Sequence, residues 1–160
     1  MSDAPFLSRR QILHAGTGLL ALPLFPERAF TSPQKNLVVY KSPYCGCCSG
    51  WVQFMTRAGF TADVRDLENI EPIKRQTRVP EDLAACHTSI IGSYVVEGHV
   101  PVEAVEKLIA EQPEILGIAV PGMPMGSPGM GYDPTARYDV VAFSLDDPEG
   151  RSLFMRVGAG

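Results

Sequence analysis

The 160-residue sequence lacks an excess of positive charge. It contains 14 Lys and Arg against 18 Asp and Glu, which gives a formal net charge of −4. Nucleic-acid binding depends on a surface that neutralises phosphates, so this balance argues against nucleic acid as a partner. No Gly-rich phosphate loop, Ser/His/Asp arrangement or pair of catalytic carboxylates stands out in the chain. The sequence therefore carries no signature of the enzyme classes that depend on those motifs.

The sequence also lacks an apolar run long enough for a typical membrane-spanning helix, which needs about 20 apolar residues. The apolar run Ile12 to Phe25 is shorter, is interrupted by glycine and proline, and follows Arg9-Arg10. The interruptions argue against the alternative, an amphipathic first helix of the domain. A charged region before a short apolar region is typical of an export signal, and paired arginines indicate the twin-arginine route. We expect residues 1–32 to be an export signal and linker, and residues 33–160 to be an exported domain without a stable membrane span.

From Leu37 onward, strand and helix patterns alternate as in an α/β domain. The β-branched apolar run from Leu37 to Tyr40 predicts a buried strand, and a helix is expected to begin near Cys45 and end before Gly59. The period-two alternation of residues 60–67 predicts a second strand. Such a strand–helix–strand unit is nearly always right-handed. The cysteine-rich turn should therefore lie at the carboxyl end of the first strand.

The rest of the chain predicts a central mixed sheet flanked by helices and closed by a C-terminal β-hairpin. No element is assigned to residues 113–120, and residues 121–134 are expected to form a Met/Gly/Pro-rich loop. The other expected elements are a short helix at Ile70–Arg78, a helical turn at Pro80–Leu83, a hairpin of Ser89–Ile91 and Tyr94–Val96, a helix over Val102–Ile109, and the terminal strands Tyr138–Ser144 and Arg151–Val157.

Three of the four cysteines lie in one turn, Cys45-Gly46-Cys47-Cys48, at the expected start of a helix. Free amides and the positive end of the helix dipole stabilise thiolates there, so we expect lowered thiol pKa values. Cys45 and Cys48 have the spacing of a redox pair, whereas Cys47 adds a thiol that thiol–disulfide exchange does not require. Structural disulfides are a further alternative in an exported protein. The third thiol favours metal binding over both, because three clustered thiols brace a domain poorly.

Cys86 is the fourth cysteine, and His87 follows it directly. A solitary cysteine is often a buried apolar residue, but the adjacent histidine favours a role as a ligand. In a thioredoxin-like sheet the loop that enters this strand lies beside the first cysteines, so Cys86 could complete the cluster. His87 is itself a further candidate metal ligand. His99, at the end of a strand, is either a structural histidine or a metal ligand.

Three of the six methionines, Met123, Met125 and Met130, fall in the Gly/Pro-rich stretch. No other large apolar residue accompanies them between residues 122 and 131, which argues against an ordinary core face, although Met as apolar filler remains an alternative. Thioether sulfur is a soft ligand that suits Cu(I). The methionines either bind metal directly or form an apolar lid over a neighbouring thiolate site.

Taken together, these motifs resemble the CopG-type copper-resistance proteins, long labelled a domain of unknown function. The resemblance runs in consistent order from about Leu37 to Val157 and implies a thioredoxin-like fold, a periplasmic location and a role in copper tolerance. It further implies that Cys45, Cys47, Cys48 and Cys86 bridge several Cu(I) ions in a polynuclear cluster, with redox interconversion of copper as a further activity. The matching segments are Tyr44–Cys48, Cys86–Thr88, Gly98–Pro101, Val120–Pro124 and Gly126–Met130.

Two functions therefore stand side by side. The first is a Cu(I) thiolate protein that sequesters copper or changes its oxidation state as a copper oxidoreductase. A carrier that hands copper to another periplasmic copper protein or an efflux component is a variant of this function. Because Cys47 and Cys48 are adjacent, turning both toward one tetrahedral ion would strain the turn, which favours several Cu(I) ions over one Zn(II). The second is a thiol–disulfide oxidoreductase with Cys45 as attacking and Cys48 as resolving thiol. The proline that usually precedes this strand in thioredoxin-like exchangers is missing from Cys86–Ser89, which counts against the second function.

Overall fold

The computed structural model describes residues 35–144 and 150–158, so the expected export signal lies outside the described residues. Within these ranges the chain combines strands and helices as an α/β protein. In order, the elements are β1 (Asn36–Lys41), α1 (Gly46–Arg57), β2 (Thr61–Asp66), α2 (Glu71–Gln76), a 3₁₀ turn (Glu81–Leu83), β3 (His87–Ile91), β4 (Tyr94–Gly98), α3 (Val102–Glu111), β5 (Gly117–Val120), β6 (Tyr138–Phe143) and β7 (Arg151–Val157).

The described strands form one mixed sheet in the order β2-β1-β3-β4-β5-β6-β7. Strands β1 and β2 are parallel, as are β4 and β5, whereas every other neighbouring pair is antiparallel. This confirms the predicted α/β class with a central mixed sheet. The antiparallel β6–β7 pair is the C-terminal pairing that the sequence predicted.

Strand β5 is the element that sequence reasoning did not assign. All four of its residues are buried, so it shows no alternation between apolar and polar positions, which is the usual signal for a strand. It begins at Gly117, where a Cβ atom would lie 2.3 Å from the carbonyl oxygen of Val95. The strand therefore depends on a glycine that permits close approach to β4.

Helices α1 and α3 cover one face of the sheet. Trp51 and Met55 of α1 and Leu108 of α3 are fully buried in a single apolar cluster with residues from five strands. Trp51 also donates a hydrogen bond from Nε1 to the carbonyl oxygen of Val100 at 2.8 Å. A smaller cluster on the opposite face includes Leu83 of the 3₁₀ turn.

The cysteine-rich turn lies at the carboxyl end of β1, as predicted. Strand β1 ends at Lys41 and helix α1 begins at Gly46, with Cys45 as its N-cap. The helix ends before Gly59, whose φ of +86° is a backbone conformation that glycine adopts readily. Within the described ranges, no helix combines the length and the apolar character needed to cross a membrane.

Candidate metal centre

The first turn of α1 carries three of the cysteine sulfurs. Cys45 caps the helix, because its Sγ accepts a hydrogen bond from the Cys48 amide at 3.4 Å. Cys45 and Cys48 are joined as a disulfide, whereas Cys47 and Cys86 are free thiols. Cys48 is fully buried, and the other three are half-buried. The turn is thus present in the oxidised form of its Cys-x-x-Cys pair.

Strand pairing brings Cys86 to this turn. In the antiparallel β1–β3 pair, Lys41 lies opposite His87, so the end of β1 and the start of β3 meet at the same edge of the sheet. The Sγ atoms of Cys47 and Cys86 are 4.0 Å apart, and those of Cys45 and Cys47 are 3.4 Å apart. All four cysteine sulfurs lie within 4.8 Å of one another. Two segments that are about forty residues apart in the chain therefore form one sulfur cluster.

Two buried imidazoles extend the cluster on the side of Cys86. The Sγ of Cys86 lies 3.0 Å from Nε2 of His99 and 3.4 Å from Nδ1 of His87. His99 Nδ1 lies 2.7 Å from the carbonyl oxygen of Pro128. A carbonyl only accepts hydrogen bonds, so this nitrogen carries the proton and the lone pair of Nε2 faces Cys86. A histidine oriented in this way is typical of metal ligands.

His87 is held by ring contacts. Its ring packs against Trp51 with centroids 4.6 Å apart and lies edge-on to His99 with centroids 5.1 Å apart. Its Nε2 is buried without a hydrogen-bond partner among the described residues. His87 and His99 were both considered as candidate ligands from the sequence, and each lies directly beside the sulfur of Cys86.

Burial sets the protonation states of these side chains. Burial, together with the neighbouring Cys47, raises the pKa of the Cys86 thiol to about 12. Burial lowers the pKa of His87 to about 3, with smaller electrostatic contributions from His99, Lys74 and Lys41, and burial likewise lowers the pKa of His99. At neutral pH the imidazoles are neutral donors and Cys86 keeps its proton. A metal ion must therefore displace that proton to bind the sulfur. The lowered thiol pKa expected for the reduced turn stays a prediction.

The Gly/Pro-rich segment lies directly on the cysteine helix. A Cβ atom at Gly129 would be 2.5 Å from the Cys47 carbonyl oxygen and 2.7 Å from the Trp51 amide nitrogen. Met130 follows this contact and is half-buried, whereas Met123 and Met125 are 39% and 60% exposed. Among the three methionines, Met130 is therefore the one next in sequence to the residue, Gly129, that contacts the cysteine-bearing helix.

Two contributions to the site were missed from the sequence. The carbonyl of Pro128 orients His99, and a backbone group carries no sequence signal. The buried ion pair of Lys74 and Glu97 lies next to the Cys86 segment. The position of Glu97 within the apolar run of β4 could have indicated a buried charge. Its partner Lys74 is 23 residues away in the chain, so the sequence did not identify the pair.

A mixed α/β protein with four sulfurs and two imidazoles gathered at one edge of its sheet is a candidate metal-binding protein with predominantly soft ligands. Comparison with solved structures agrees with this class. Two structures titled as a copper resistance protein, copG, in forms 2 and 1, are each 33% identical to this chain, with TM-scores of 0.70 and 0.69. They cover 76% and 78% of this chain, and the chain covers 97% and 98% of theirs.

The chain belongs to the CopG family of copper resistance proteins. A family model described as a protein of unknown function, DUF411, matches residues 83–130, the segment from the 3₁₀ turn to Met130. No curated protein sequence matches the chain.

Proposed function

We propose that this protein is a thioredoxin-like, periplasmic copper-binding protein whose cysteine thiolates hold several Cu(I) ions for copper resistance. The observation that carries the proposal is the convergence of four sulfurs, within 4.8 Å of one another, from Cys45, Cys47, Cys48 and Cys86. Thiolates favour Cu(I) among the biological copper states. Bridging sulfurs also relieve the strain of turning the adjacent Cys47 and Cys48 toward one ion.

Copper loading requires reduction of the Cys45–Cys48 disulfide, because the thiolate is the form that binds metal. The same pair supplies a balanced redox step. Two Cu(II) ions each take one electron as the thiols of Cys45 and Cys48 join, which yields two Cu(I) ions, one disulfide and two protons. In this proposal the site interconverts copper oxidation states as a copper oxidoreductase.

Nitrogen donors beside the cluster support that redox step. Cys86, His87 and His99 place one sulfur and two imidazole nitrogens within 4.8 Å of one another. A set of two histidines and one cysteine suits copper in both of its oxidation states, as in electron-transfer sites. We assign this mixed set to Cu(II) before its reduction. The all-sulfur set holds Cu(I) only after an external dithiol reductant has reopened the Cys45–Cys48 disulfide that the step forms.

The cluster is tested by anaerobic titration of the fully reduced protein with Cu(I). We expect more than one copper ion per chain, and fewer in a Cys86→Ser variant. The matched control is Ser93→Ala, in the exposed turn between β3 and β4, which should bind as much copper as the native chain. Saturation at zero or one copper ion per chain would contradict the proposal of a polynuclear site.

The role of the methionines is tested separately. We propose that Met130, next to the contact between Gly129 and Cys47, is the thioether best placed to reach copper, and that Met123 and Met125 shield the site from water. A copper-loaded structure with anomalous scattering at the copper edge identifies the ligands. Replacing Met130 by leucine should remove a sulfur neighbour of copper, whereas Met125→Leu should not.

One observation favours a second function, a thiol–disulfide oxidoreductase. Cys45 and Cys48 form a disulfide with Cys45 half-buried, and the free thiol of Cys47 lies 3.4 Å from the Cys45 sulfur. This function predicts catalysed disulfide exchange that continues in the presence of a copper chelator. A Cys45→Ser variant with full activity would exclude it.

The cellular setting is also a proposal. Arg9-Arg10 and the apolar run after them support export by the twin-arginine route, and copper released from the site would pass to another periplasmic copper protein or an efflux component. Replacing both arginines by lysine should leave the precursor inside the cell. Normal export of that variant would contradict the route.

A further inference from the structure

A buried ion pair lies beside the proposed copper site. Lys74 of α2 and Glu97 of β4 form it, and their side chains are 5% and 0% exposed. Thr88 completes the network: its Oγ1 accepts a hydrogen bond from Lys74 Nζ at 3.1 Å and donates one to Glu97 Oε2 at 2.7 Å. Both carboxylate oxygens of Glu97 therefore have partners in the protein interior.

The same carboxylate holds the backbone next to Cys86. The Ala85 amide donates a hydrogen bond to Glu97 Oε1 at 2.7 Å. Ala85 belongs to the irregular stretch 84–86 between the 3₁₀ turn and β3, and the β3–β4 pairing itself starts only at Thr88. The stretch that carries Cys86 precedes the backbone pairing of β3 with β4. It is therefore the side chain of Glu97 that attaches this stretch to β4.

Residues 84–86 also pack closely against β4. Gly98 follows Glu97 and has φ +72°, and a Cβ atom there would lie 2.6 Å from the Cβ of Ala85. The absence of that atom lets Ala85 approach the strand, and the Glu97 carboxylate holds its amide there. With the backbone held in this position, the Cys86 sulfur lies 4.0 Å from Cys47 Sγ and 3.0 Å from His99 Nε2.

Stability alone does not account for this ion pair. Replacing a buried salt bridge by well-packed apolar side chains of similar size often leaves the stability of a protein unchanged or increases it. An apolar replacement cannot accept the Ala85 amide, however, and a buried amide without a partner is costly. What the carboxylate adds beyond packing is this attachment of the Cys86 stretch.

We propose that Glu97, paired with Lys74 and Thr88, is a positioning residue that holds the Cys86 sulfur within reach of the Cys45–Cys48 turn by accepting the Ala85 amide. This inference deepens the proposed function and rests on its thiolate site. It assigns a role in copper binding to a residue that has no direct part in binding the metal.

Two double variants of the full-length protein separate this attachment from charge and packing. Lys74→Met with Glu97→Gln removes both charges but keeps a side-chain oxygen that can accept the Ala85 amide. Lys74→Met with Glu97→Leu removes both charges and the acceptor. Neither variant carries a charge at position 74 or 97. A difference between the two variants therefore measures the effect of the side-chain oxygen that accepts the Ala85 amide.

The first measurement needs no copper. In the disulfide-closed protein, the free thiols of Cys47 and Cys86 are bridged with dibromobimane and the bridged peptide is quantified by mass spectrometry. The Gln variant should match the native yield, whereas the Leu variant should lose about tenfold, since bridging depends steeply on the placement of the two groups. Melting temperatures of both variants show that each is folded. Because copper is not involved, this result is independent of whether the copper function holds.

The second measurement is Cu(I) affinity of the reduced variants by chelator competition under anaerobic conditions. We expect a loss of about tenfold or more for the Leu variant, as for other residues that orient metal ligands, and near-native binding for the Gln variant. Native bridging and affinity in a folded Leu variant would overturn the proposal. Equal losses in both folded variants would also overturn it, because the charges would then be the cause.

A measurement on the native chain covers the case in which the Leu variant does not fold. The Ala85 amide should exchange its hydrogen with solvent as slowly as amides of the central strands, because its acceptor is a fully buried carboxylate. Hydrogen exchange followed by NMR gives this rate for the single residue. Exchange as fast as that of exposed turn amides would show that the attachment does not exist.

Discussion

Two glycines in the loop over the cysteine helix offer a matched test of how that loop supports the site. Gly129 and Gly131 have φ values of +91° and +92°, so alanine at either position should meet similar backbone strain, roughly 1–2 kcal/mol. Their surroundings differ. A Cβ atom at Gly129 would meet the Cys47 carbonyl oxygen at 2.5 Å, whereas one at Gly131 would meet only the flexible end of Met125 at 3.3 Å.

The size of the effect follows from these distances. To restore an ordinary contact of 3.4 Å, the loop at Gly129 must move by about 0.9 Å. Movement by that amount along the bond would stretch the 2.7 Å hydrogen bond between His99 and Pro128 to about 3.6 Å, beyond hydrogen-bonding distance. A buried N–H without a partner costs about 1–3 kcal/mol. We therefore expect Gly129→Ala to be less stable than Gly131→Ala by about 2 kcal/mol.

Thermal unfolding of the two metal-free variants measures this difference. It should appear as a melting temperature roughly 6 °C lower for Gly129→Ala than for Gly131→Ala, given the size of the domain. Because His99 loses the partner that orients it, the Cu(II) affinity of the set formed by Cys86, His87 and His99 should also fall by about tenfold in Gly129→Ala alone. Equal melting temperatures and equal affinities in the two variants would refute the claim that the loop contact orients His99.

Three further predictions concern stability. Trp51→Phe should lower the free energy of unfolding in urea by about 2 kcal/mol, because it leaves the buried Val100 carbonyl without its hydrogen-bond donor. Gly117→Ala should cost about 3 kcal/mol in the same assay through overpacking against β4, whereas Gly46→Ala, with no atom near its Cβ position, should cost nothing. The third prediction concerns pH. Because burial lowers the pKa of His87 from 6.5 to about 3, the unfolded chain takes up a proton between these values that the folded chain does not. The free energy of unfolding of metal-free protein should thus fall below pH 6.5 by up to about 1.4 kcal/mol per pH unit, and this slope should shrink in His87→Gln.

Most elements of the fold could be predicted from the sequence. The helix after Cys45 and the strand after Gly59 were correctly located because glycine punctuates them and their apolar periods differ. Strand β5 was missed for a physical reason. Its residues are buried on both faces, so the sequence pattern that distinguishes strands from other apolar segments is absent there.

The candidate site was only partly predictable. Three sulfurs adjacent in the sequence must lie close together, so the triplet of Cys45, Cys47 and Cys48 was evident from the chain. That Cys86 joins them was an inference from the expected sheet, and the β1–β3 register brings it there. Whether the methionines bind copper could not be settled by spacing, since a glycine-rich segment can follow many paths with the same sequence.

The donor chemistry and the order of elements were thus inherent in the amino-acid sequence, because side-chain type and local periodicity are properties of neighbouring residues. The tertiary structure alone decided which nitrogen of His99 faces Cys86, how closely Gly129 lies on the cysteine helix, and that Lys74 and Glu97 meet beside Ala85. These features depend on contacts between segments that are far apart in the chain, and such contacts form only when the sheet and its helices pack together.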